Sequence, residues 1–225
     1  MRRVYTLLCL LGMMQICLAQ HTTSGERKYT DHYYKRMEQF RKEEPISRKD
    51  VVMLGNSLTE NGGDWGARTN KKRVRNRGIV GDEVMGVYDR LYTILPGKPK
   101  KIFLLIGVND ISHDLTADSI VAMIDQTVLR IKEESPKTKL YLQSLLPFNE
   151  SFKRYKRLTG KTDLVPEINA KLKVLAKKRR IKYIDLFPLF VVEGTNVLRP
   201  ELSTDGLHLK DAGYDIWVKA IKRKI

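Results

Sequence analysis

Beyond residue 17 this 225-residue chain contains no cysteine; Cys9 and Cys17 both fall in its first nineteen residues. The bulk of the chain therefore has no disulfide scaffold, no thiolate metal site and no cysteine nucleophile. Acidic residues are scarce as well, 26 against 42 Lys and Arg, which leaves a net charge of +16. That surplus points to anionic surroundings without choosing among nucleic acid, a charged glycan and a membrane surface. No Gly/Ser linker, low-complexity tract or internal repeat divides the chain. Hydrophobic residues at 42% and charged residues at 30% exclude intrinsic disorder and a polytopic membrane protein. The length allows one large domain with a substantial core.

The first residues have the layout of a secretory signal peptide. Arg2 and Arg3 form a basic start, Val4–Ile16 is apolar but short for a membrane span, and Cys17-Leu18-Ala19 precedes a cut after Ala19. An N-terminal anchor or a buried strand is the competing reading. Cleavage would remove two basic residues and no acidic one, lowering the charge from +16 to +14. The expected layout is then a signal peptide at 1–19, an arm at 20–48 and one domain at 49–225. Within the arm, Tyr29, Tyr33, Met37 and Phe40 recur at helical spacing, which predicts an amphipathic helix over Gly25–Glu44.

The remainder alternates. Apolar runs at Val51–Leu54, Lys101–Ile106, Leu140–Leu145 and Tyr183–Leu186, with a weaker one around Val74–Asn76, predict strands. Helical periodicity separates them: over Asp82–Leu95; through Ile120, Ile124, Val128 and Ile131, capped by Asp118 and stopped by Pro136; through Val165, Ile168, Leu172 and Leu175; and through Ile216, Trp217, Ala220 and Ile221. Strands apolar on both faces and separated by helices predict a single three-layer α/β/α domain on a parallel sheet of about five strands. In such sheets chemistry sits at the carboxyl ends of the strands.

Polar, glycine-bearing inserts occupy those ends. They are Gly55-Asn56-Ser57-Leu58-Thr59-Glu60, Asn76-Arg77-Gly78-Ile79-Val80-Gly81-Asp82, Gly107-Val108-Asn109-Asp110 and, before the last helix, Ser203-Thr204-Asp205-Gly206-Leu207-His208-Leu209. Together they supply the parts for acyl transfer through a serine ester. Ser57 needs a base to take its proton, and the imidazole of His208 is suited to that work. Asp205, turning back through Gly206, would fix the imidazole tautomer. The backbone N–H groups of Ser57 and Gly81 and the Asn109 amide are the candidate donors to a developing oxyanion. Taken singly, each residue also has a structural reading: Ser57 and Asp82 as helix caps, Gly81 and Asn109-Asp110 as turn residues, Asp205 and His208 as a surface capping pair.

In order and company, the four segments resemble the sequence blocks of the SGNH (GDSL-type) hydrolase superfamily, from about Lys49 to the C-terminus. The resemblance implies a flavodoxin-like fold, no metal and no cofactor. It maps the catalytic serine, aspartate and histidine onto Ser57, Asp205 and His208, and the oxyanion hole onto Ser57, Gly81 and Asn109. One residue departs from the pattern: Asn56 stands where the family has aspartate, a position outside the triad. The Gly-x-Ser-x-Gly elbow is absent, since Thr59 stands at its second glycine, which argues against an α/β-hydrolase fold.

The remaining residues define the rivals. His21 and His32 read as surface residues, and His113 as a fallback base without a paired carboxylate. Glu60, Asp64 and Glu83 show no mate for glycosidase chemistry. The basic runs read as solvated faces, and no nucleic-acid module is present. Phe148–Arg157, with Tyr155, is a candidate lid or acceptor loop, and Trp65 a candidate sugar platform; packing is the alternative for both aromatics. The expected protein is an exported serine esterase acting on short acyl esters, foremost O-acetyl groups of carbohydrates. A lipid acylhydrolase, a non-catalytic glycan-binding module and a polyanion binder are the alternatives.

Overall fold

Strands form where the apolar runs can be covered on both faces. The structure, a computed structural model, describes residues 28–225; the expected signal peptide and the start of the N-terminal arm, His21 included, lie outside the described residues. Five strands, β1 (Val51–Gly55), β2 (Val74–Gly78), β3 (Lys101–Leu105), β4 (Lys139–Gln143) and β5 (Lys182–Ile184), pair in parallel in the order β2-β1-β3-β4-β5. This is the flavodoxin-like order, and the chain reverses direction across the sheet between β1 and β3. Val52, Met53 and Leu54 of β1 and Ile102, Phe103 and Leu104 of β3 are fully buried. Each such side chain contributes about 1.5–3 kcal/mol by leaving water.

The N-terminal helix α1 (Asp31–Lys42) is shorter than expected because Thr30 caps it, its hydroxyl accepting from the Tyr33 N–H. Tyr33, Met37 and Phe40 bury their face of α1 against Ile79, just past β2. β2 itself is polar, and α1 explains how it tolerates that. Arg77, 2% exposed, pairs with Glu43 at 2.7 Å and lies under the Phe40 ring at 4.5 Å. Asn76 donates to the carbonyls of Glu60 and Gly63.

Two short helices, α2 (Ser57–Glu60) and α3 (Trp65–Thr69), follow β1. Trp65 is fully buried, donates from its indole to the Thr59 carbonyl at 2.9 Å and packs edge-on against Trp217 at 5.0 Å. It is therefore a core residue and not a sugar platform. Its partner Trp217 lies on the last helix, α8 (Asp211–Ile221).

The helix expected over Asp82–Leu95 is regular only as α4 (Val84–Asp89); beyond it the chain makes two tight turns, the second holding Pro96, which lacks the N–H a helix needs. Asp82 does not cap α4, because its carboxylate is drawn to Arg90 instead. After β3 come α5 (Val108–Ser112) and α6 (Ala117–Glu134). The cap of α6 is Thr116, whose hydroxyl accepts from Ser119 N–H at 3.2 Å; Asp118 lies in the first turn, where its charge favours the positive end of the helix. Ile120, Ile124, Val128 and Ile131 form its buried stripe. Helix α7 (Leu164–Arg179) buries Val165, Ile168, Leu172 and Leu175 beside α6. Among the described residues no helix is long and apolar enough to cross a membrane.

Candidate active site

At the end of β1, Asn56 leaves the strand and caps α2, its side-chain oxygen accepting from Leu58 N–H at 3.1 Å. That turn makes Ser57 the first residue of α2. The amide nitrogen of Asn56 is buried and has no partner among the described residues, a direct trace of its standing where an acceptor-only carboxylate would serve.

Ser57 Oγ lies 2.9 Å from His208 Nε2, and His208 Nδ1 lies 2.7 Å from Asp205 Oδ2. A carboxylate only accepts, so Nδ1 carries the proton and Nε2 is left to accept from the serine hydroxyl. The loop holding the pair is tied at several points. Asp205 Oδ1 accepts from the N–H groups of Leu207 at 2.9 Å and His208 at 2.8 Å. Ser203 Oγ donates to the His208 carbonyl at 2.7 Å and accepts from Gly206 N–H at 2.9 Å. Gly206 sits at φ +85°, and a Cβ there would overlap the Asn149 carbonyl, so the turn requires glycine twice over.

Burial opposes ionisation of Asp205, but the donors around it outweigh that effect: the His208 ring and backbone, the Leu207 backbone and the Tyr155 hydroxyl hold its carboxyl far below the usual carboxylate range. Tyr155 was legible in the sequence only as part of a loop. Its hydroxyl donates to Asp205 Oδ2 at 2.9 Å, lies 3.0 Å from His208 Nδ1, and its ring meets the imidazole edge-on.

Gly81 and Asn109 line the same cavity as Ser57 and His208, a space of about 570 Å³. Gly81 adopts φ +80°, a left-handed conformation that glycine alone enters without strain. Asn109, in the first turn of α5, donates from Nδ2 to the Asp82 carbonyl at 2.8 Å, which fixes the plane of its amide and leaves the second N–H of that nitrogen. Behind these loops lies a buried polar scaffold whose pairings no local sequence pattern reveals. Arg90 bonds Asp82 at 2.8 Å and the Gly55 carbonyl at 2.9 Å, joining the ends of β1 and β2. Asp110 accepts from Val84 N–H at 3.2 Å, joining the end of β3 to α4. Burial, reinforced by the charges of Glu83 and Asp82 and opposed by the Val84 bond, pushes the Asp110 carboxyl up to about 7.

Other expected candidates fall elsewhere. His113 does have a carboxylate partner, Glu83 at 2.8 Å, but it is not among the residues lining the Ser57 cavity. Glu60 is held by Arg36 at 3.3 Å and His32 at 3.0 Å, and Asp64 caps α3. Phe148 is core, whereas Arg154 to Leu158 line the cavity.

A profile of the GDSL-like Lipase/Acylhydrolase family matches residues 53–216. No curated protein sequence matches at a significant level. Among solved structures, a Bacteroides fragilis NCTC 9343 protein named as an acylhydrolase superposes with a TM-score of 0.77 at 23% identity, over 88% of this chain and 97% of that one. A GDSL-like lipase from Bacteroides thetaiotaomicron VPI-5482 gives 0.74 at 24% identity, over 85% and 96%. A variant of an acetyl-xylooligosaccharide esterase from Geobacillus Stearmophilus gives 0.61 at 21% identity, over 81% and 96%. At these identities the likeness is one of fold.

Proposed function

Since the chain belongs to the GDSL-like lipase/acylhydrolase family, we propose that it is an exported serine esterase that removes short acyl groups, foremost acetyl groups, from carbohydrate alcohols. The observation that carries this reading is the continuous line of hydrogen bonds from Ser57 through His208 to Asp205, at 2.9 and 2.7 Å.

In the first step His208 Nε2 takes the Ser57 proton while Oγ attacks the ester carbonyl carbon. The carbonyl oxygen becomes an anion that the N–H groups of Ser57 and Gly81 and the Asn109 amide stabilise. Collapse breaks the bond to the alkoxy oxygen; the alcohol leaves with the proton from His208, and the acyl group remains on Ser57. Water, deprotonated by His208, then attacks the acyl carbon and returns the serine and the free acid. Asp205 stays ionised throughout and stabilises the imidazolium formed in each step.

The acetyl preference draws support from the acetyl-xylooligosaccharide esterase among the structures of the same fold. Apolar Val80, Leu158 and Leu207 in the cavity lining favour the rival reading, a lipid acylhydrolase with a longer acyl chain. Turnover of p-nitrophenyl acetate against its octanoate separates the two. A higher kcat/KM for the acetate is expected, and a preference for the octanoate would replace this reading with the lipid one.

A further inference from the structure

The cavity beside Ser57 carries a charge pattern that ester hydrolysis by itself does not use. Three of its lining residues, Arg154, Lys156 and Arg157, are cations, and none is an aspartate or glutamate. None of the three makes an ion pair or side-chain hydrogen bond with another described residue. Asp114, which feels the charge of Arg157, is itself paired with Lys161. Elsewhere arginines are matched by acids: Arg68 with Asp211 at 2.8 Å, Arg130 with Glu134 at 2.7 Å and Arg179 with Asp125 at 2.6 Å.

The segment bearing these cations is fastened to the site. Tyr155, between Arg154 and Lys156, bonds Asp205 Oδ2 at 2.9 Å. Leu158 is buried in the core, and Gly160 N–H donates to the Glu150 carboxylate, closing the loop. Positive charge is thus held at a cavity with no internal counterion. Guanidinium groups present paired donors in a plane that matches the oxygens of a carboxylate or phosphate. Cations left unmatched along a cleft also concentrate anionic ligands there.

We propose that the alcohol part of the natural ester carries an anionic oxygen group, a carboxylate or a phosphate, held by Arg154, Lys156 and Arg157 while the acyl carbonyl lies at Ser57. This inference rests on the esterase reading above and names its substrate class.

The test compares charged esters with neutral counterparts: O-acetylglucuronic acid with O-acetylglucuronamide, and acetylglycerol phosphate with acetylglycerol. At least one charged ester should exceed its neutral partner in kcat/KM by roughly tenfold, the scale of a charge-assisted hydrogen bond, and the better arm identifies carboxylate or phosphate. Sodium chloride should shrink that ratio. The double variant Arg154→Gln with Arg157→Gln should bring it toward one, while Arg154→Lys with Arg157→Lys should keep part of it; both positions are exposed, so the substitutions open no cavity. Equal rates on charged and neutral esters, in an enzyme that cleaves p-nitrophenyl acetate, overturn this proposal alone, as does a ratio that survives the double Gln variant. An enzyme inert toward p-nitrophenyl acetate overturns the esterase reading and this proposal with it.

Discussion

The Tyr155 hydroxyl donates to Asp205 Oδ2 at 2.9 Å, so the carboxylate that orients His208 is itself oriented from the loop after β4. Burial and the neighbouring Asp205 push the tyrosine up to about 12, and it stays a donor across the working pH range. Tyr155→Phe removes one of the donors that hold the Asp205 carboxyl low. Turnover at neutral pH should fall roughly tenfold, as expected for one hydrogen bond to a charged group. A kcat/KM within twofold of the wild type would make Tyr155 a packing residue only.

Asn109→Ala tests the oxyanion assignment. Turnover should fall on the order of a hundredfold or more, the usual loss for one such donor. Thermal stability should drop by only about 1 kcal/mol, from the lost bond to the Asp82 carbonyl. A rate within twofold of wild type would remove Asn109 from the site.

Arg90 and Asp82 form a pair with side chains 0% and 1% exposed. Arg90→Met keeps the bulk and strands a buried carboxylate, a change that typically costs about 3–5 kcal/mol. A large fall in Tm is expected, and an unchanged Tm would show that the pair does not brace these loops.

How legible this scaffold was depends on the residue. The central strands β1 and β3 announce themselves because both faces are covered, and Val51–Leu54 reads as an unbroken apolar run. β2 reads weakly because Arg75, Asn76 and Arg77 interrupt it, and their partners in the arm and the α2 loop are ones that no local pattern reveals. The positions of Ser57, Gly81, Asn109, Asp205 and His208 could be picked out because glycine-rich polar inserts interrupt apolar runs at strand ends. Asp82 reads only as a helix cap and Tyr155 only as part of a loop, and Arg90 carries no local signal. Their roles arise from long-range pairing, and in sequence they resemble ordinary helix and loop residues. Trp65 shows the same limit in reverse, since an aromatic after two glycines looks exposed until Trp217 covers it.

Asp110 gives a pH signature of stability. Its folded value of about 7 exceeds the ordinary 3.8, so the folded state holds the proton more tightly and stability falls as pH rises from about 4 to 7. Asp110→Asn keeps an acceptor for Val84 N–H and removes that penalty. Its Tm should equal that of the wild type near pH 4 and exceed it at pH 8, by an amount reflecting on the order of a few kcal/mol. The same Tm difference at both pH values would contradict the titration.

The most direct test is covalent. The intact protein treated with a fluorophosphonate should take up one label on the peptide containing Ser57 and lose ester turnover in proportion, while Ser57→Ala takes none. An unlabelled wild-type chain beside a labelled control esterase, or activity retained by Ser57→Ala, would contradict the proposed serine chemistry.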